Sequence, residues 1–195
     1  PTSPATTPVA VSVLNDATAI AASGTQFCVL RINHTVACWG QWSTGTTNVP
    51  QLIQGFTTAT SIAVGGNHVC ATLADHSVMC LGSNTYGQLG DGTNSTSSVP
   101  VLAATSTAQS VSAAGLNTCI TTVEGYAQCW GDNLRGQVGD STTTTRNSPV
   151  LVRLTVAPTL AVPQVSGTPA VGLSLAADVA SSSGIPRPVV PFAWQ

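Results

Sequence analysis

The chain has 195 residues, 43% of them apolar, so it is long enough for one or two domains and apolar enough to bury a core. Only 6% of its residues are charged, the net charge is -2, and the five basic residues are all arginines. The clustered Lys and Arg that grip a phosphate backbone are missing, which argues against nucleic acid as a partner, and no apolar run approaches the ~18 residues of a membrane-crossing helix.

The opening residues, PTSPATTP, read as the middle of a longer chain, with no signal peptide in view. A repeat then begins. Pro8, Pro50 and Pro100 are followed in step by Ala17, Ala59 and Ala108, by Ile20, Ile62 and Val111, and by Gly24, Gly66 and Gly115. Each of these glycines lies between two apolar runs, which makes a strand, a tight turn needing a permissive backbone, and a second strand. Four residues on come Cys28, Cys70 and Cys119, each with a second cysteine ten residues later at Cys38, Cys80 and Cys129. Metal ligands, disulfides and reduced core thiols are all conceivable for such pairs. The C-x2-C spacing of zinc sites is absent, and disulfides would agree with an oxidising compartment and with the Ser/Thr-rich, lysine-free composition.

The ten-residue spacing carries a register. If each cysteine pair sits directly across an antiparallel hairpin, three-residue loops fall at Ile32 to His34, Ala74 to His76 and Val123 to Gly125. Their third positions, His34, His76 and Gly125, then require positive φ, which Gly, Asn, Asp and His tolerate best. The cysteines occupy a non-hydrogen-bonded pair, whose Cα separation of ~4.5 Å is short enough to bridge.

After the hairpin come Trp39-Gly40, Leu81-Gly82 and Trp130-Gly131, then a long loop in the second and third units, and a proline-bearing outer strand where a missing N–H costs no ladder bond. The first unit lacks the GQLGDG part of that loop, and the spacing from second cysteine to proline shrinks accordingly. The strands are apolar on both faces, as sheets stacked between neighbours should be, and the unit length points to a β-propeller.

In the run CxxxxxxxxxCWGxNxxGQxGD the units resemble RCC1-type repeats. Cys129-Trp130-Gly131-Asp132-Asn133 with Gly136-Gln137-Val138-Gly139-Asp140 keeps the whole motif, the second unit has Leu81 for Trp, and the first keeps only Trp39-Gly40. The resemblance covers about residues 8 to 157 and implies an all-β, partial β-propeller with blades at about 8–49, 50–99 and 100–148 and a closing strand at 149–157. Such propellers commonly have seven blades, so further blades are expected upstream. Residues 158–195 resemble the start of a bacterial Ig-like surface repeat through Val165-Ser166-Gly167-Thr168-Pro169 and Phe192-Ala193-Trp194-Gln195. That implies an incomplete β-sandwich segment with Trp194 as its core residue.

Asp75, His76 and Ser77 contain the residue types of a hydrolytic triad but share one hairpin turn, which turn chemistry explains. His34, His68 and His76 do not converge in the repeat, and neither the GQLGDG glycines nor Asp91 and Asp140 match a phosphate loop or an EF-hand. The loop is expected to be a compact structural turn that the first unit dispenses with. The two N-x-[ST] triplets, at Asn33 and Asn94, arise readily in such a composition and carry no weight. No catalytic, cofactor-binding or metal residue is assigned. Trp39 and Trp130 fill a repeat column and are expected to pack blades, whereas Trp42, outside the repeat, and the loop residues Tyr86 and Arg135 are candidates for partner contact.

The sequence therefore predicts a non-enzymatic, secreted or surface-exposed protein-binding module whose partner is a protein of unknown identity. A guanine-nucleotide exchange regulator, the eukaryotic RCC1 role, is the first alternative. A non-catalytic propeller portion of a larger secreted enzyme is the second.

Overall fold

The structure, a computed structural model, describes residues 6–11, 14–42, 45–103 and 105–153, together with the backbone of two short strands further on. It divides into two units, Pro1–Arg153 and Leu154–Gln195.

The first unit is three four-stranded antiparallel sheets. Blade one comprises β1 (Ala17–Ser23), β2 (Gln26–Arg31), β3 (Val36–Trp42) and β4 (Gly45–Leu52); blade two comprises β5 (Ala59–Val64), β6 (His68–Leu73), β7 (Val78–Gly82) and β8 (Ser97–Leu102). Blade three follows with β9 (Ala108–Ala114), β10 (Asn117–Thr122), β11 (Ala127–Gly131) and β12 (Arg146–Leu151). Within each sheet the strands lie in chain order, so every connection is a hairpin. Pro50, Pro100 and Pro149 lie in β4, β8 and β12, each an edge of its sheet, where no ladder bond is lost. Each proline strand closes the sheet before it rather than opening the next.

The hairpin register follows from the cysteines. Cys28 faces Cys38, Cys70 faces Cys80 and Cys119 faces Cys129. All three pairs are closed as disulfides with Cα separations of 4.1 Å. The third loop residues have the positive φ that three-residue hairpins demand, 63° at His34, 66° at His76 and 85° at Gly125.

One backbone detail explains the Trp-Gly column. Gly40, Gly82 and Gly131 have φ of 104°, 118° and 109° and sit beside a register shift in the β3–β4, β7–β8 and β11–β12 pairings. A Cβ at any of them would run into the main chain of the β1–β2, β5–β6 or β9–β10 turn. The following amide uses that proximity, donating to Thr25, Asn67 and Leu116 carbonyls at 3.1, 2.8 and 3.2 Å.

The core lies between the blades. Blade two shows why its strands are apolar on both faces. Val64, Val69, Ala71 and Leu81 pack with Cys28, Leu30, Val36 and Cys38 of blade one, while Ala63, Cys70 and Cys80 pack with Val111, Ile120 and Trp130 of blade three. The bridged cysteine pairs of blades one and two thus face the following blade, and Leu81 and Trp130 face the preceding one.

In the second unit, β13 (Gln164–Ser166) and β14 (Ala176–Asp178) form one antiparallel pair, Gln164 opposite Asp178. The remaining residues of the expected Ig-like segment, Trp194 included, lie outside the described residues.

Candidate functional site: the blade seams and their loops

The residues with the greatest chemical potential are used to tie blades together. His34 and His76 occupy equivalent hairpins. Nδ1 of each donates to a carbonyl of the following blade, Ala59 at 3.0 Å and Ala108 at 3.1 Å, while their own carbonyls accept the Ala59 and Ala108 amides. A carbonyl only accepts, so Nδ1 carries the proton in both. Asp75 takes the Ser77 amide at 3.1 Å and the Ser77 hydroxyl at 2.6 Å, and these bonds hold its carboxyl below the usual range. That is an Asx turn, with His76 directed at the next blade instead of at Ser77.

The long loops of blades two and three share one internal plan. Asn84 Nδ2 donates to Asp91 at 3.1 Å and its Oδ1 accepts the Leu89 amide at 2.9 Å; Asn133 does the same with Asp140 at 3.2 Å and Val138 at 2.9 Å. Gln88 and Gln137 cap the amides of Tyr86 and Arg135, both at 2.9 Å. The motif residues are therefore a folding device, as the sequence suggests. Asp140 accepts from Thr142 and pairs with Arg146 at 2.6 Å, and the Thr142 bond, followed by the Arg146 contact, brings its pKa down to about 2.

The loop also acts between blades, which local reading misses. Leu89 is fully buried in the second seam beside Cys80 and Trp130. The Gln88 carbonyl accepts from Trp130 Nε1 at 2.9 Å and from Thr118 Oγ1 at 2.8 Å, using both lone pairs. Thr118 has one hydroxyl proton and spends it on Gln88, so the 2.8 Å contact to His68 is donated by His68 Nε2. Nδ1 of His68 is then a buried acceptor with no partner, and burial alone lowers the imidazole pKa to about 4. The signal that could have exposed this relay is a His and a Thr at two inward positions of otherwise apolar strands.

The three contact candidates are placed one per blade. Trp42 is half-buried against the first-seam core. Tyr86 is half-buried and Arg135 exposed, in equivalent loop positions of blades two and three. Trp130 is buried in the second seam, whereas Trp39, in the same column, stacks on Phe27 at 5.6 Å on the face of blade one that no described blade covers, where Ile20 is 66% exposed.

Residues 59–88 and residues 75–120 match the family model described as Regulator of chromosome condensation (RCC1) repeat. RCC1 repeats are thus matched within residues 59–120. The chain's RCC1-like blades superpose on solved propellers. Human WBSCR16 aligns with a TM-score of 0.63 at 20% identity, over 71% of this chain and 40% of that one. Yeast RCC1 (Prp20), in a crystal structure with Kap60, aligns with a TM-score of 0.62 at 17% identity, over 77% of this chain and 37% of that one. Prp20p from Saccharomyces cerevisiae, in a structure whose report also concerns its binding to Gsp1p and histones, gives 0.63 at 17% identity, over 77% and 39%. The chain thus spans about two fifths of the length of the structures it matches. No curated protein matches it in sequence.

Proposed function

We propose that the chain is part of a non-enzymatic protein-interaction module, secreted or displayed at a cell surface, built on RCC1-like blades. The observation that carries this reading is the set of three cross-strand disulfides, one per blade, because such bridges persist in oxidising compartments. A second support is that His34, His68, His76, Asp75 and Asp140 are engaged in turns and seams. The loops of successive blades then offer a face to a protein partner, with Trp42, Tyr86 and Arg135 as its contact residues. A further blade upstream would cover the apolar face around Ile20, Phe27 and Trp39, and residues 158–195 would begin an Ig-like segment.

Exchange activity on a small GTPase is the competing reading, favoured by the fold shared with yeast RCC1. The bridged blades weigh against it. Two measurements separate these readings. Thiol titration of denatured, unreduced protein from its native cells should find no reactive cysteine, and six would overturn the extracellular reading. Cross-linking capture with the parent protein should weaken in Trp42→Ala, Tyr86→Ala or Arg135→Ala, and unchanged capture in all three would remove the proposed face.

A further inference from the structure

The two seams are built on the same columns but filled differently. In the second, the blade-two loop enters between the blades: Leu89 lies between Cys80 and Trp130, and the loop is clasped at its far end by the Gly92 amide on the Asn147 carbonyl and by Asn147 Nδ2 on the Gly92 carbonyl, both at 2.8 Å. Blade one has no such loop. At the corresponding place in the first seam lies a cleft of ≈ 170 Å³, lined by Cys38, Leu81, Gly82 and Ser98, the column counterparts of Cys80, Trp130, Gly131 and Asn147. Trp42, Thr47 and Ile53 also line it, with Gln51 and Ser97 as further polar members of its wall. The cleft is the imprint of the missing loop.

We infer that this cleft receives a turn of a partner protein presenting one branched aliphatic side chain, Leu- or Val-sized and flanked by glycine. The inference rests on the reading of the chain as a protein-interaction module. Its floor is a disulfide and Leu81, which recognise apolar surface and no charge. Its volume suits one such group, since an apolar cavity of about 150 Å³ holds a benzene ring. In the second seam the loop carbonyl of Gln88 is held by Trp130 and Thr118, whose columns in blade two are the apolar Leu81 and Val69, so the first-seam cleft selects for the apolar side chain. A second copy of this chain is a poor occupant, because the aliphatic tips of its own loops, Leu89 and Val138, are already buried.

The test is an NMR titration of the ¹⁵N-labelled full chain with two probes, benzene and a synthetic peptide copying residues 84–93. Both should shift the amides of Thr47, Leu81, Gly82 and Ser98 saturably. A peptide carrying Asp in place of its leucine should bind at least about tenfold more weakly, the effect of leaving one Leu side chain unburied. Leu81→Trp, which puts the column's indole into the cleft, should lose both probes. Absence of saturable shifts with either probe in the wild type overturns the inference whether or not the variants fold, as do shifts retained in a folded Leu81→Trp. If the probes fail while cross-linking capture of the partner still depends on Tyr86 or Arg135, the cleft is refuted and the interaction module stands.

Discussion

Acid should loosen the second seam through His68. Its imidazole is fully buried, its Nε2 proton is committed to Thr118, and a second proton could be added only at Nδ1, which faces no acceptor. Burial lowers the pKa from 6.5 to about 4 in the folded chain. Between those values the unfolded chain binds a proton that the folded chain refuses, so stability is intact above pH 6.5 and falls as the pH drops toward 4, where the loss levels off. At about 1.4 kcal/mol per pKa unit the full loss is ~3 kcal/mol, a sizeable part of the roughly 5–15 kcal/mol that holds a domain together. Urea midpoints measured through this window should show the decline in the wild type and not in His68→Gln. Glutamine already holds this column in blade one as Gln26, buried and donating to Asn67 at 2.9 Å. An equal decline in His68→Gln, or a titration of the folded imidazole near its ordinary value, would refute the seam as its source.

Three further outcomes can be checked by urea or thermal unfolding. Replacing Cys70 and Cys80 together by alanine should cost about 3 kcal/mol, the chain-entropy value for so short a loop; no change in midpoint would mean the bridge does not constrain the unfolded chain. Leu89→Ala should cost about 2–5 kcal/mol as a buried truncation, whereas Arg135→Ala, on the exposed part of the equivalent loop, should stay within about 0.5 kcal/mol. Asp140, held at about pKa 2 by Thr142 and Arg146, contributes stability that is present above the ordinary carboxylate pKa and disappears as pH falls through 2; Asp140→Asn should lack that acid limb.

Much of the blade is local and was therefore legible. Cysteine spacing set the register, the register set which loop residue takes positive φ, and His34, His76 and Gly125 take it. Proline marked the edge strands for the same local reason, a missing donor. What could not be read is where faces meet. The Leu89 loop reads as a turn because its hydrogen bonds are internal, and only stacking the blades turns it into a wedge against Trp130. Trp42 reads as free of the core for the same reason: the cluster it packs against spans two blades, from Cys38 of its own to Leu81 of the next, far away in sequence.

The two seams also explain why the Trp column is broken at Leu81. In the second seam blade three supplies the indole, Trp130, and blade two supplies the leucine, Leu89. In the first seam the roles are exchanged, with Trp42 from blade one against Leu81 from blade two. Loss of the loop and loss of the column tryptophan are then one change: without a leucine arriving from blade one, an indole from its β3 strand borders the vacated space beside Leu81 and narrows it to the cleft. A double-mutant cycle measures this exchange. Trp42→Ala removes the indole from one side and Leu81→Trp restores it from the other, so the pair should be more stable than the sum of the single variants by at least about 0.5 kcal/mol, the coupling expected of residues that share a space. Additivity within about 0.3 kcal/mol would show that the two side chains act independently, and the exchange would fail as the explanation of Leu81.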